Sequence, residues 1–194
     1  MTSLAIDLST ELAEDFVLPP AGIPLQTLRR LTVGPDGRQF HPRHDMPRFD
    51  ADLFPLISSA HLCCGSHSGD PAVLARLVPA LLEHDIQLGA HPSYPDVFSF
   101  GQYRVALSHD ELVSTLLFQF GALQAVLKRF GATIQHVKCH GALAFDVAYL
   151  ESPCAALIEA MQCFDPELVL VAMAGSPSVG QARDAGTTVI EEGF

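Results

Sequence analysis

The chain has 194 residues, of which 48% are apolar and only 17% are charged, and this predicts a single α/β domain over 1–194 with a large buried core. The net charge of −11 disfavours nucleic acid as a partner, because binding to phosphates requires clustered Lys and Arg. No segment approaches the ~20 apolar residues that span a bilayer, and no signal peptide is evident, so we expect a cytoplasmic protein without membrane contact.

The first part of the chain predicts a strand over 4–7 and then an irregular, proline-rich insertion at about 19–47. A short helix over 51–58 and a buried strand over 61–64 follow. Asp70 and Pro71 suit the cap and first position of the next helix, which we expect Pro79 to kink. Cys64 and His67 lack a second matching pair, and the odd count of five cysteines without a C-x-x-C pair favours reduced thiols.

The rest of the chain alternates strands and helices. We predict strands over 86–90, 134–139, 168–172 and 187–190. Ser108 and Glu111 form a capping box before the strongest helix, which Gly131 closes. Further helices are predicted from Ser152 to about 163 and over 178–185. Six strands alternating with helices indicate a parallel sheet, either a barrel or an open doubly wound sheet. No glycine-rich loop follows the first strand, which disfavours a dinucleotide-binding fold.

Polar residues follow the predicted strands where each strand ends. These residues are Asp7, His67, His91, His140 and Glu192. Loops at the carboxyl ends of parallel strands build the active sites of such folds, so we expect these side chains to converge. A lone histidine beside a strand is more often structural than a ligand, and His136 within a strand fits that description. The joint placement, however, favours a functional site.

Two kinds of chemistry fit these residues. Neutral imidazoles and a carboxylate can hold a divalent metal that activates water. Alternatively, a histidine or Asp7 is a general base while Lys138 stabilises an oxyanion or a phosphoryl group. Lys138 and His140 alternate along one strand, which puts both on one face. Either route describes hydrolysis at an amide-like centre.

Several blocks in register carry a family resemblance. They are Ile6-Asp7-Leu8, Ser58-Ser59-Ala60, Cys64-Gly65, His67, Gly69-Asp70, Gly89 to Asp96, Phe100-Gly101, His136-Val137-Lys138, His140 to Leu143 and Ala174-Gly175-Ser176. By these blocks the chain resembles the LamB/YcsF family. The resemblance implies a parallel (βα) barrel of the glycoside hydrolase/deacetylase type. It also implies a component of an ATP-dependent 5-oxoprolinase, which opens the lactam of 5-oxoproline to L-glutamate with partner subunits B and C that use the ATP.

The resemblance also implies roles for individual residues. The expected catalytic positions are Asp7, His67, His91, Lys138 and His140. The expected substrate-binding positions are Ser9, Glu11, Gly65, Asp70, Tyr94, Asp96 and Glu192. Asp7, His67 and His91 are the candidate ligands of a divalent metal.

Departures from the family pattern leave alternatives open. The first-strand motif Asp-Leu-Asn-x-Asp is Asp7-Leu8-Ser9-Thr10-Glu11 here, and Gln102 replaces an arginine. The sequence ends at Phe194, where family members continue, so we expect a barrel that is incomplete at its C-terminus. An open strand edge of this kind can pair with another chain, including a second copy. The alternatives are a stand-alone metal-dependent amidohydrolase or deacetylase, and a degenerate homologue that only binds a partner or ligand.

Overall fold

The computed structural model describes residues 8–13 and 53–193. The strand predicted over 4–7, the catalytic candidate Asp7 and the insertion predicted over 19–47 lie outside the described residues.

Within the described ranges, six parallel strands form one sheet that curls into a half-barrel. The strands are β1 (Ser9–Leu12), β2 (Ser59–Cys63), β3 (Gln87–His91), β4 (His136–Val137), β5 (Val169–Met173) and β6 (Thr188–Glu192). Their order in the sheet is their order in the chain, with no reversal, and this rules out a doubly wound sheet. The prediction of an incomplete parallel βα barrel is confirmed.

The helices follow the strands and cover the outside of the sheet. In the described part of the chain they are α1 (Pro71–Glu83), α2 (His109–Lys128), α3 (Gly141–Tyr149), α4 (Glu151–Phe164) and α5 (Pro177–Asp184), and a 3₁₀ turn lies at Phe54–Leu56. The capping box of α2 is present as predicted. Helix α3 was not predicted, and only the 3₁₀ turn appears where a helix was expected over 51–58. No single helix in the described part of the chain is long and apolar enough to cross a membrane.

Pro79 lies inside helix α1, whose hydrogen-bonded span is Pro71–Glu83, and the kink at this residue stays a prediction. A proline inside a helix costs about 3 kcal/mol, because it removes one backbone hydrogen bond and crowds the preceding turn. Five apolar side chains of α1 are buried: Val73, Leu74, Leu77, Val78 and Leu81. Each contributes roughly 1.5–3 kcal/mol on burial, so packing outweighs the defect.

The hydrophobic core lies between the helices and the outer face of the sheet. Alternate strand residues point outward and are buried there, among them Leu62, Leu88, Val137 and Leu170. The largest buried helix residue is Phe120 of α2. The intervening strand residues face the inside of the half-barrel, and on β1 to β4 they are mostly polar. The fold therefore separates an apolar outer layer from a polar inner face.

All five cysteines are free thiols, and only Cys163 is exposed. Cys64 donates its S–H to the carbonyl oxygen of Leu62 at 3.2 Å. Burial raises the pKa of the Cys64 thiol to about 12, so it remains a neutral thiol.

Candidate functional site

The carboxyl ends of the strands bring together the polar residues that the sequence singled out. His91 is the last residue of β3, Glu192 is the last residue of β6, and Lys138 directly follows β4. His67 comes from the loop after β2, and His140 immediately precedes α3. The three histidines His67, His91 and His140 are buried. The three histidines and Glu192 therefore lie together with Lys138, whereas Asp7, the fifth side chain that was expected to converge, lies outside the described residues.

The three buried histidines form one cluster. One ring nitrogen from each histidine can be chosen so that the three lie within 4.8 Å of one another, and the group could therefore hold a metal ion. Nε2 of His91 lies 3.1 Å from Nδ1 of His140. The rings of His67 and His140 stack with centroids 3.9 Å apart and an interplanar angle of 6°. The ring of His91 is steeply inclined to both, at 78° to His67 and 72° to His140.

Each ring is anchored on its far side by a neighbouring loop. Nδ1 of His91 donates to the carbonyl oxygen of Lys138 at 2.8 Å, and Nε2 of His140 donates to that of Phe100 at 2.8 Å. Nδ1 of His67 lies 2.8 Å from Oγ of Ser93. These anchors fix the orientation of the rings and leave one nitrogen of His91 and one of His140 for the interior of the cluster, whereas the second nitrogen of His67 lies 3.2 Å from Sγ of Cys63.

Burial keeps two of these imidazoles neutral. It lowers the pKa of His67 to about 3, and the neighbouring His140 and His91 add to the effect. Burial likewise lowers the pKa of His140, although the contact with the Phe100 carbonyl opposes it. Neutral imidazoles can accept a proton or coordinate a metal at neutral pH, which imidazolium ions cannot do.

A carboxylate–lysine–carboxylate chain lies beside the histidines. Nζ of Lys138 is 2.7 Å from Oε1 of Glu192 and 3.4 Å from Oε1 of Glu11, and Oε2 of Glu11 is 3.4 Å from Nε2 of His91. The hydrogen bond with His91 and the charges of His91 and Lys138 lower the pKa of Glu11 to about 2, against the opposing effect of burial. Glu11 is therefore ionised across the physiological range.

A second histidine pair lies deeper in the half-barrel. Nε2 of His136 is 3.0 Å from Nδ1 of His61, and the two rings are nearly perpendicular. Gly89 of β3 faces the ring of His136, and a Cβ at this position would overlap the ring. Nε2 of His61 is buried without a hydrogen-bond partner in the described part of the chain. His61 was not among the predicted site residues, although it pairs with Glu11 across β1 and β2 and alternates with Cys63.

The loop after β3 is held by buried side chains. Gln119 of α2 accepts from the backbone N–H of Ser93 at 3.0 Å and donates to its carbonyl oxygen at 2.9 Å. The hydroxyl of Tyr94 donates to Oδ2 of Asp146 at 2.7 Å, and Arg104 pairs with the other oxygen of the same carboxylate. These contacts fix the loop that carries the anchor of His67.

The predicted substrate-binding residues fall into three groups. Glu11 and Glu192 join the cluster through Lys138. Ser9 is exposed near the start of β1, and Gly65 is exposed in the loop after β2 with φ of 92°. The other three organise local structure: Asp70 caps α1, Tyr94 binds Asp146, and Asp96 accepts from the backbone N–H groups of Ser99 and Tyr103.

Taken together, the fold and the cluster define a parallel βα half-barrel with a histidine-rich polar site at the carboxyl ends of its strands. The chain belongs to the LamB/YcsF family, whose model matches residues 37–194. The match begins inside the segment over 19–47 that was predicted to be an insertion.

Similar proteins agree with this assignment. The chain is 44% identical over 145 residues to a protein named as the A subunit of 5-oxoprolinase from Acinetobacter baumannii strain AB307-0294, covering 75% of this chain and 57% of the relative. A protein of the same name from Corynebacterium glutamicum strain R is 43% identical over 145 residues, covering 75% of this chain and 58% of the relative. The chain thus spans little more than half the length of these relatives.

A solved structure shares the fold. The crystal structure of the lactam utilization protein from Thermus thermophilus superposes with a TM-score of 0.76 at 34% sequence identity. The alignment covers 98% of this chain and 67% of that chain.

Proposed function

We propose that the chain is a component of an ATP-dependent 5-oxoprolinase that opens the lactam ring of 5-oxoproline to L-glutamate. The observation that carries this proposal is the chain of Glu11, Lys138 and Glu192 beside three buried histidines, in a protein whose relatives are named as the A subunit of 5-oxoprolinase. The name of those relatives also supports partner subunits, which we propose are subunits B and C. We assign the use of ATP to these partners.

The proposed reaction breaks the C–N bond of the lactam and adds water across it, so that the ring carbonyl becomes a carboxylate and the ring nitrogen becomes an amine. The ammonium group of Lys138 would stabilise negative charge on the substrate. A neutral imidazole would take up one proton of the attacking water and pass it to the ring nitrogen as the C–N bond breaks, while the ionised Glu11, 3.4 Å from His91, would stabilise the imidazolium. We propose Asp7, His67, His91, Lys138 and His140 as catalytic residues, with substrate contacts from Ser9, Glu11, Gly65, Asp70, Tyr94, Asp96 and Glu192.

Reconstitution tests this proposal. The purified chain is mixed with subunits B and C of a homologous enzyme, ATP and 5-oxoproline, and glutamate formation is measured. We expect glutamate only when all components are present. Lys138→Met should lower the rate about 100-fold or more, because the developing charge loses its ammonium partner. Lys128→Met is the matched control, since Lys128 is exposed in the last turn of α2 and should leave the rate unchanged.

The histidine cluster favours one other candidate, a stand-alone metal-dependent amidohydrolase or deacetylase. That candidate predicts hydrolysis of amide substrates by the chain alone, without ATP, and loss of activity on chelation. Hydrolysis without ATP would replace the leading proposal. Binding of 5-oxoproline with no turnover in either assay would instead indicate a homologue that binds its ligand without catalysis.

A further inference from the structure

We infer that a small apolar cavity beside Lys138 and Glu192 holds the methylene edge of a lactam ring, and that Ala144 and Val147 set the size of ring that fits. Because a lactam must first be bound at Lys138, this orientation rests on the proposed function. It adds the way in which the ring lies and the basis on which the protein distinguishes a lactam from other ligands.

The cavity has a volume of about 50 Å³ and is lined by residues of α3, of β5 and of the segment that follows β4. Two charged residues line it, Lys138 and Glu192, and both belong to the chain of charges beside the histidines. The cavity therefore adjoins the candidate site. The apolar part of its wall includes Ala144, Val147 and Ala148 of α3 and Met173 of β5.

The weakly polar groups of the wall are already engaged or neutral. The hydroxyl of Ser176 donates to the carbonyl oxygen of Met173 at 2.7 Å, so the hydroxyl of Ser178 in the wall, 2.8 Å away, donates to Ser176. Burial raises the pKa of the Cys139 thiol, which lines the cavity as a neutral, nearly apolar group. A buried water needs two to four polar partners, which the apolar wall does not offer. The inner part of the cavity therefore favours carbon.

The size of the cavity suits two methylene groups. A water-sized group needs about 10–15 Å³, so the cavity holds roughly three or four such groups. The ring of 5-oxoproline has its nitrogen and its carbonyl group on one edge and two methylene groups on the other. Burial of two methylene groups strengthens binding by about 15-fold, at roughly fourfold for each. A larger ring, or a substituent on either methylene carbon, exceeds the space.

A lactam also has a hydrogen-bonding edge that matches Lys138 and Glu192. The amide of a small ring is cis, so its N–H and its carbonyl oxygen lie on the same side, whereas an open-chain amide is trans and holds them on opposite sides. Nζ of Lys138 lies 2.7 Å from Oε1 of Glu192, so a donor and an acceptor stand side by side. With its methylene groups in the cavity, the ring would accept from Lys138 and donate to Glu192. The pair therefore favours a lactam over an open-chain amide, and over a lactone, which has no N–H.

Calorimetric titration of the unmodified chain measures this preference. The chain, alone and with subunits B and C of a homologous enzyme but without ATP, is titrated with 5-oxoproline, with its lactone analogue and with the six-membered lactam that has one more methylene group. We expect the lactone to bind about 10-fold more weakly or worse, because Glu192 then faces a ring oxygen in place of an N–H. The six-membered lactam should also bind about 10-fold more weakly, because its third methylene group has no room.

Two substitutions change the cavity itself. Ala144→Leu fills it, so this variant should bind 5-oxoproline about 15-fold more weakly while its stability to urea is unchanged or higher. Val147→Ala enlarges it and should reduce the preference for the five-membered over the six-membered lactam by about threefold or more. Ala125→Leu is the matched control, because Ala125 is exposed on α2 and its replacement should leave binding unchanged.

The outcomes distinguish this inference from the proposed function. If the unmodified chain binds 5-oxoproline and Ala144→Leu binds it as tightly as Ala125→Leu does, the cavity does not hold the ring and the inference is overturned, while the proposed function stands. Equal binding of the three ligands overturns it in the same way, and this comparison decides the matter even if Ala144→Leu does not fold. If 5-oxoproline does not bind to the unmodified chain with or without the partner subunits, the proposed function fails and the inference fails with it.

Discussion

At the scale of single residues, Tyr94 shows how a residue predicted to bind substrate can be engaged elsewhere. Its hydroxyl is buried and donates to the carboxylate of Asp146, which also pairs with Arg104. Burial and this carboxylate raise the pKa of the Tyr94 hydroxyl, so it remains a donor at every physiological pH. The partner of Tyr94 lies in α3, a helix that the sequence did not predict, so this contact could not be predicted either.

Replacing Tyr94 with phenylalanine tests how much the hydrogen bond between Tyr94 and Asp146 contributes to the stability of the fold. Tyr94→Phe should lower the free energy of unfolding by about 1.5–3 kcal/mol, because a buried charged acceptor loses one donor. Urea denaturation measures the change. Tyr149→Phe is the matched control, since Tyr149 is exposed and its hydroxyl donates to the sulfur of Met173 at 3.3 Å, and we expect less than about 0.5 kcal/mol there. Equal effects of the two substitutions would contradict a structural role for Tyr94.

At the scale of elements, much of the fold could be predicted because its signals are local. The capping box of α2 is contiguous in sequence, and the buried strands are short apolar runs. Helix α3 lacks such signals: it begins at Gly141, and its cap residue His140 makes no capping hydrogen bond. Strand β4 is shorter than the predicted 134–139, although the backbone N–H groups of Lys138 and His140 still donate to the carbonyl oxygens of Ala90 and Pro92.

The candidate site was predictable only in part. The three clustered histidines and Lys138 follow strands, and this placement could be recognised from the pattern. The hydrogen-bond acceptors of the histidine N–H groups could not be predicted. They are backbone carbonyl groups, such as those of Lys138 and Phe100, and every residue carries such a group. His61 was not predicted as a site residue because its neighbours come from other strands. Glu11 is its register partner on β1, and His136 on β4 contacts its ring.

Gly89 of β3 packs against the ring of His136 on the inner face of the half-barrel, and this contact gives a prediction at the scale of elements. Gly89→Ala should displace the ring of His136 and destabilise the protein by about 1–3 kcal/mol, because the new methyl group would overlap the ring. Gly121→Ala in α2 is the matched control: nothing lies near its position, so we expect stabilisation of up to about 1 kcal/mol. Chemical denaturation of both variants checks the opposite signs, and destabilisation of the two alike would argue against the close packing at Gly89.

At the scale of the whole molecule, the half-barrel buries ionisable groups away from water. Its outer face is packed with apolar side chains, while the inner face of β1 to β4 collects histidines and charges. His61 is the clearest case, with only 1% of its surface exposed. It is surrounded by His136 and His91, by Lys138 and by Glu11, and only Glu11 favours its protonated form. Stability of the whole fold should therefore depend on pH through this residue.

Burial and the neighbouring His136 lower the pKa of His61 to about 2 from the 6.5 of an ordinary histidine. Between these values the unfolded chain binds a proton that the folded chain does not, so stability is complete above pH 6.5 and falls as pH decreases towards 2. One such proton contributes a slope of about 1.4 kcal/mol per pH unit. Urea unfolding of the metal-free protein from pH 7 to 4, compared with His61→Gln, should show this slope reduced by one proton in the variant. An unchanged slope would mean that His61 is protonated in the folded state, and that its unpartnered nitrogen donates a hydrogen bond to water or to a bound group.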